Sequence, residues 1–213
     1  MMPNSTLREF QGRDHFYWLA PNWHEIVDAQ ISFIAGIEVD APERRFAVVM
    51  FTDIVESTES SMSAGDARWR HLLDEHDRAS RDVVIRHAGT IIKNTGDGIL
   101  CTFNSPSLAV SAALDLRSEL GEIGLRIRVG LHAGEVEDRG DDVSGAVVNP
   151  AARVEESGSA DEILLTASMR DILLGSTHSF EDAGLRELKG FDGSWHLYRV
   201  LAPLTESGPE SGE

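Results

Sequence analysis

Two aspartates stand where a folded chain seldom leaves a bare charge. Asp53 ends the apolar run "FAVVMFTD". Asp97 lies in "KNTGDG", between Gly96 and Gly98 and just before the apolar "ILCTF". A carboxylate at the end of a buried strand is expensive unless something pairs with it. If the second run pairs beside the first, the two carboxylates come within a few ångströms of each other. They then repel unless one is protonated or a cation bridges them. A hard ion such as Mg2+, held by carboxylates and by the phosphates of a substrate, is the usual resolution. The residues after Asp53, "IVEST", lead into a short helix, where the backbone N–H groups of Val55, Glu56, Ser57 and Thr58 can cradle phosphates. Ser57 and Thr58 can also serve there as caps. Each piece alone has an ordinary alternative. Asp53 can cap a helix, Asp97 can be a turn residue, and Lys93 can be a charge guarding an edge strand.

The elements that must position these residues follow from hydrophobic periodicity. "RRFAVVMFTD" is a short, almost wholly apolar run, as expected of a strand covered on both faces. In "AGDARWRHLLDEHDRASRDVVIRHAG", Trp69, Leu72, Leu73, His76, Val83, Val84 and His87 fall on one helical stripe, and Gly89 is placed to close the helix. A hairpin, Thr90–Asn94 and Ile99–Phe103, follows. "SPSLAVSAALDLRSELG" predicts a helix with Ser105 as N-cap, Pro106 at its first position, and Ala109, Ala112, Leu116 and Leu120 on one face. "LRIRVGLHAGEV" alternates as a half-buried strand. "SGAVVNPAARVEESG" is a loop entering a helix. A further strand, a short helix and two or three strands complete the domain. The order predicts an α+β fold with a mainly antiparallel sheet and helices on one face. Residues 44–201 form the main domain, 1–43 a cap or regulatory stub, and 202–213 a polar, disordered tail.

Composition excludes several classes. At 213 residues and 41 % apolar, the chain can bury one sizeable core. The formal net charge of −17 and the lack of a basic stripe argue against a nucleic-acid partner. Cys101 is the only cysteine, so no internal disulfide forms, and its apolar setting makes it a small core residue. No apolar run approaches the roughly 20 residues of a membrane span, and the N-terminus has no signal-peptide core. These features predict a cytoplasmic protein without membrane insertion.

Taken together and in order, "FTDIVEST", "KNTGDG", "RVGLHAGEV" and "VVNPAARV" resemble the catalytic domain of class III nucleotidyl cyclases, most closely the bacterial, actinobacterial-type adenylyl cyclases. The resemblance covers about residues 45 to 200 and implies a ferredoxin-like (βαββαβ) core with a smaller C-terminal α/β extension. It implies conversion of ATP to 3′,5′-cyclic AMP and pyrophosphate, the ribose 3′-hydroxyl attacking the α-phosphate in line. Two divalent cations, Mg2+ or Mn2+, would be held by Asp53, Asp97 and the backbone carbonyl of Ile54, one activating the hydroxyl and the other neutralising phosphate charge. Asn149 would orient the ribose. Arg153, one helical turn later, would meet charge on the pentavalent phosphorus, a task suited to a guanidinium fork. Lys93 and Asp142 match the base-reading pair, with Asp141 one residue away, and Lys189 in "ELKGFDG" matches a lysine on the β- and γ-phosphates.

Adenine presents an acceptor at N1 and a donor at N6. A lysine donor and an aspartate acceptor complement that edge, whereas guanine presents the reverse. The resemblance further implies a head-to-tail homodimer with composite sites, one domain lending the aspartates and the other the base-reading and transition-state residues. The segment "VEDRGDDVSG" stands where the family places a dimerisation arm, and its acids equally fit a solvated loop. His132 is characteristic of the family and is expected to be structural. Two other functions fit part of the pattern: a cyclase of guanylyl or relaxed specificity, and a nucleotide-binding regulatory module without turnover.

Overall fold

The computed structural model describes residues 23–35, 44–55, 57, 65–139 and 142–202. The chain divides into two units, Met1–Pro42 and Glu43–Glu213. Within the first, the described element is helix α1 (Trp23–Ala35). The remainder of the N-terminal extension and the tail from residue 203 lie outside the described residues.

The second unit runs β1 (Arg44–Ile54), α2 (Asp66–Arg86), β2 (Gly89–Asn94), β3 (Ile99–Phe103), α3 (Pro106–Glu122), β4 (Ile127–Arg139), β5 (Asp142–Ser144), α4 (Val148–Glu156), β6 (Ile163–Thr166), α5 (Ala167–Ile172), β7 (Phe180–Glu187) and β8 (Ser194–Val200). The strands form a single sheet in the order β2-β3-β1-β4-β6-β8-β7, with β5 on the far end of β4. Its first half, β1-α2-β2-β3-α3-β4, is the expected βαββαβ core. The C-terminal extension continues that sheet through β6, the only parallel neighbour among the described strands, on β4.

The central pair explains why the fold holds. β1 and β4 pair antiparallel over the whole of β1, from Arg44↔Glu137 to Ile54↔Ile127. Alternation then sorts the side chains between two faces. Val48, Met50, Val129, Leu131 and Ala133 point into the larger core, with Val83 and Val84 of α2, Ala112 and Leu116 of α3, and Met169 of α5. Ala47, Val49 and Leu100 occupy the opposite face with Ala151 of α4 and Val147 just before it. Three helices therefore share one face, and α4 covers the other.

Two local expectations are met and two are corrected. The Ser105 side chain accepts from the Leu108 amide, with Pro106 at the first turn of α3. Cys101 is fully buried, and burial pushes its thiol pKa up. At the end of α2, however, Ala88 takes the left-handed backbone (φ 54°) that Gly89 was expected to supply. Gly89 instead begins β2 and lies under the Phe103 ring, where there is no room for a Cβ. Of the two expectations for "VEDRGDDVSG", the solvated loop is corrected, because the segment folds as a hairpin. β4 runs on to Arg139 and β5 returns beside it, pairing Glu137↔Ser144 and Arg139↔Asp142. Its acids are partly neutralised by β1, through Arg44–Glu137 and Arg45–Asp138.

The contact of α4 with β4 is made at backbone level. A Cβ on Gly130 would stand 2.2 Å from the Glu155 amide nitrogen and 2.5 Å from the Ala151 carbonyl oxygen. Neither atom can yield without shifting the helix. Gly130→Ala should therefore destabilise the domain by about 3 kcal/mol or more. Thermal and urea melts check this, and an unchanged melt would mean that α4 slides freely on the sheet.

Candidate active site

At the end of β1, Asp53 faces the α4 side of the sheet and pairs in register with Arg128 of β4. The guanidinium Nη2 donates to Asp53 Oδ2 at 2.7 Å. Its Nε donates to Glu155 Oε1 on α4. One cation thus serves two acids on different elements. Neither Arg128 nor Glu155 stands out in the sequence. Arg128 looks like any polar residue of an alternating strand, and only the β1–β4 register aims it at Asp53.

The tip of the β2–β3 hairpin meets the end of β1. The Ile54 amide donates to the Asp97 carbonyl at 2.9 Å, and the Ile99 amide donates to the Thr52 hydroxyl at 3.1 Å. Gly96 takes φ +110°, and a Cβ on Gly98 would lie 1.8 Å from the Thr52 carbonyl oxygen. Gly98 is therefore required by the approach of hairpin to strand. The contact brings the Asp53 and Asp97 carboxylates together. The Asp53 pKa is raised, by burial first and then by the Asp97 charge, with Arg128 opposing both.

The donors at this point are hard oxygens: two carboxylates and the Ser57 hydroxyl, which donates to Asp97 Oδ2 at 2.7 Å. Among the described residues no three acidic, histidine or cysteine side chains converge. The pair of carboxylates fits a divalent cation that takes its remaining ligands from backbone, water or phosphate. Of the groups expected to cradle phosphates, those described are already engaged. The Val55 amide is engaged by the Arg126 carbonyl at 2.8 Å and is not free for an anion. The Ser57 hydroxyl is bonded to Asp97 instead of capping a helix. Glu56 and Thr58 lie outside the described residues.

Lys93 and Asp142 come from the edge strand β2 and from β5, and they meet. Lys93 Nζ donates to both Asp142 oxygens, at 3.2 and 3.1 Å. A bulge between Ile91 and Lys93 sets Lys93 opposite Leu100, so that Lys93 joins Ile92 on the α4 face. The Asp142 pKa is lowered, chiefly by the Lys93 hydrogen bond. A cavity of about 430 Å³ adjoins the pair, lined by Arg45, Thr90, Ile92 and Val143 among others. Asp141 lies outside the described residues.

Asn149 is exposed in the first turn of α4. Arg153, one turn on, is partly exposed and donates to both Glu156 oxygens at 2.5 Å. Lys189 is exposed in the turn between β7 and β8. Among the described residues no hydrogen bond or ion pair joins Asp53 or Asp97 to Lys93, Asp142, Asn149, Arg153 or Lys189. His132 is held from the other side. Its Nδ1 lies 2.8 Å from the Thr166 hydroxyl, its ring meets Trp195 edge-on, and burial lowers its pKa.

The model of the adenylate and guanylate cyclase catalytic domain matches residues 39–202. The chain belongs to this family. The cyclase domain is 31 % identical over 152 residues to an uncharacterized protein of Mycobacterium tuberculosis, covering 70 % of this chain and 40 % of that protein. It is 26 % identical over 171 residues to the putative adenylate cyclase 3 of Rhizobium meliloti, covering 73 % of this chain and 28 % of that one. The chain thus spans well under half the length of these curated relatives. Among solved structures, the adenylyl cyclase CyaB from P. aeruginosa superposes with a TM-score of 0.70 at 24 % identity, over 75 % of this chain and 95 % of that one. The guanylate cyclase domain of RhGC from Catenaria anguillulae, in complex with GTP, gives 0.67 at 21 % identity, over 76 % and 99 %. At these identities the likeness is one of fold. No helix among the described residues is long and apolar enough to cross a membrane.

Glu155 is the most perturbed acid of the cyclase domain's site. Burial outweighs Arg128 and pushes its pKa up to about 7. A carboxyl raised on folding favours the folded state while both states are protonated and loses that advantage as pH rises through the folded value. Relative to Glu155→Gln, the wild-type chain should therefore lose up to about 3 kcal/mol of stability as pH rises from about 4.5 to about 7, with a constant difference above. Paired melts across this range check it, and a flat difference would count against the shift.

Proposed function

We propose that the chain is an adenylyl cyclase that converts ATP to 3′,5′-cyclic AMP and pyrophosphate. The observation that carries the choice of base is the meeting of Lys93 and Asp142 beside a cavity. An ammonium donor and a carboxylate acceptor, side by side, complement adenine N1 and the N6 amine, and they oppose guanine at both positions. Their pairing also favours Asp142 over Asp141 as the acceptor. The mycobacterial and rhizobial relatives agree with a bacterial cyclase type.

In the reaction the ribose 3′-oxygen forms a bond to the α-phosphorus as the bond to the β-phosphate oxygen breaks. The hydroxyl proton leaves to solvent. Two divalent cations, Mg2+ or Mn2+, bound at Asp53, Asp97 and the Ile54 carbonyl, would supply the charge that acidifies the hydroxyl and neutralises the phosphates. Asn149 holds the ribose, and Arg153 releases Glu156 to meet charge on the α-phosphate. Lys189 and the Ser57 segment meet the terminal phosphates. Two copies would pair head to tail, each lending Asp53 and Asp97 to the other's Lys93, Asp142, Asn149 and Arg153. What supports this is that one chain carries both sets with no bond between them among the described residues. Residues 44–201 would be the catalytic unit, with 1–43 as its cap or regulatory segment.

Product formation from ATP and from GTP, with Mn2+ or Mg2+ and across protein concentration, tests the reading. The expected outcome is cyclic AMP from ATP, rising faster than linearly with protein, and reduced at least a thousandfold in Asp97→Ala. No product with nucleotide still bound would instead indicate a regulatory module. For specificity, Lys93→Glu combined with Asp142→Ser should lower the ATP to GTP preference by roughly a hundredfold. An unchanged preference would remove these two residues from base recognition.

A further inference from the structure

Asn94 stands between two of the proposed site residues. It follows Lys93 directly and precedes Asp97 by three positions. Its side chain is bonded in two directions. Nδ2 donates to Asp77 Oδ1 of α2 at 2.7 Å, and Oδ1 accepts from the Gly96 amide at 2.8 Å. Asp77 is held in turn by the residue before it. His76 is fully buried, and its Nδ1 lies 3.1 Å from the same Asp77 oxygen. Its Nε2 has no partner among the described residues. A proton on Nδ1 suits both facts, because it meets the carboxylate and leaves no buried N–H unpaired.

β2 needs such a link for two reasons. It lies at the edge of the sheet, paired with β3 on one side. The bulge between Ile91 and Lys93 also breaks the alternation of its side chains, so the ladder alone does not set which face the next residues take. Packing against α2 is incomplete there. A cavity of about 420 Å³ opens between α2 and β2, lined by Asp77, Arg81, Ile85, Thr90 and Asn94 among others. The bond to Asp77 fixes Asn94 on the α2 face and, by alternation, Lys93 on the α4 face. Through the Gly96 amide, Asn94 also holds the turn that carries Asp97.

We infer that Asp77, acting through Asn94, is a positioning residue for both Lys93 and Asp97: it aims the lysine at the base and steadies the turn that presents the carboxylate to the cation. The inference rests on the proposed adenylyl cyclase reaction. Neither Asp77 nor Asn94 touches nucleotide or metal. Both act through their neighbours, so one change on α2 reaches base choice and metal binding together.

The test uses 3′-deoxy-ATP and 3′-deoxy-GTP, which cannot cyclise, so binding is read without turnover. Mn2+ binding is read alongside, from the electron paramagnetic resonance of the free ion. Asp77→Leu, similar in size but without an acceptor, should lower the preference for 3′-deoxy-ATP over 3′-deoxy-GTP by roughly fivefold and weaken Mn2+ binding by a similar factor. Asp77→Asn keeps an acceptor oxygen for Asn94 and should bind as the wild type does. Asn94→Asp sets two carboxylates against each other and should match Asp77→Leu. Adding Asp77→Asn to it restores a donor between the two side chains and should recover most of the loss. This exchanged pair carries the test if Asp77→Leu does not fold. Wild-type preference and Mn2+ affinity in Asp77→Leu, accompanied only by a lower melting temperature, would overturn the positioning role and leave the cyclase reading intact. So would an exchanged pair that binds no better than Asn94→Asp alone. A wild-type chain that binds neither analogue would overturn both.

Discussion

A single guanidinium shared between two acids is the constraint around which this domain is arranged. Asp53 must remain charged at the end of a strand whose preceding residues are buried, beside a second carboxylate. Burial and Asp97 both raise the cost of that charge. Among the described residues Arg128 is the side chain bonded to it that lowers the cost, and it reaches Asp53 only because β1 and β4 pair in one register. A slip by one residue would send Arg128 into the larger core and Asp53 away from its partner. The length of the β1–β4 ladder is thus a condition of the site as well as of the fold.

The same pairing places α4. Gly130, two residues beyond Arg128 and on the same face, lets the helix backbone settle against the sheet. That contact sets Glu155 within reach of Nε. The hairpin tip is held by an equally close approach, Gly98 against the Thr52 carbonyl, with the Thr52 hydroxyl receiving the Ile99 amide. Two places where a Cβ cannot exist therefore hold the two carboxylates in position. Around them the polar inventory is short of cations, as the net charge of −17 requires. A site of this sign attracts phosphates only through a bound metal and a few placed cations.

The pair proposed to read the base illustrates another economy of the sheet. Lys93 and Asp142 are far apart in sequence, on an edge strand and on the return strand of the β4–β5 hairpin. A bulge turns Lys93 to the face it needs. Their mutual ion pair is exposed, where such pairs contribute little to stability. A ligand with its own donor and acceptor can therefore replace it at small cost. The Arg153–Glu156 pair, also exposed, stands in the same position with respect to the phosphate proposed for it.

Much of this was legible in the chain. The apolar β1 run, the helix stripes of α2 and α3, the Ser105–Pro106 start and the glycine-flanked Asp97 follow from periodicity and local backbone chemistry. These act over a few residues and survive in any tertiary setting. The motifs, in order, also indicated the cyclase family. What sequence left open was the register of the long strands against one another. Arg128 and Glu155 carried no signal, because their importance lies in a register and in a glycine under a helix. The Val55 amide looked free for phosphate until the turn gave it to Arg126, and Gly89 looked like a helix stop until Phe103 covered it. Local spacing decides which residues can form an element. Only the folded sheet decides which charge meets which, because that depends on pairing between residues whose separation along the chain carries no information about their distance in space.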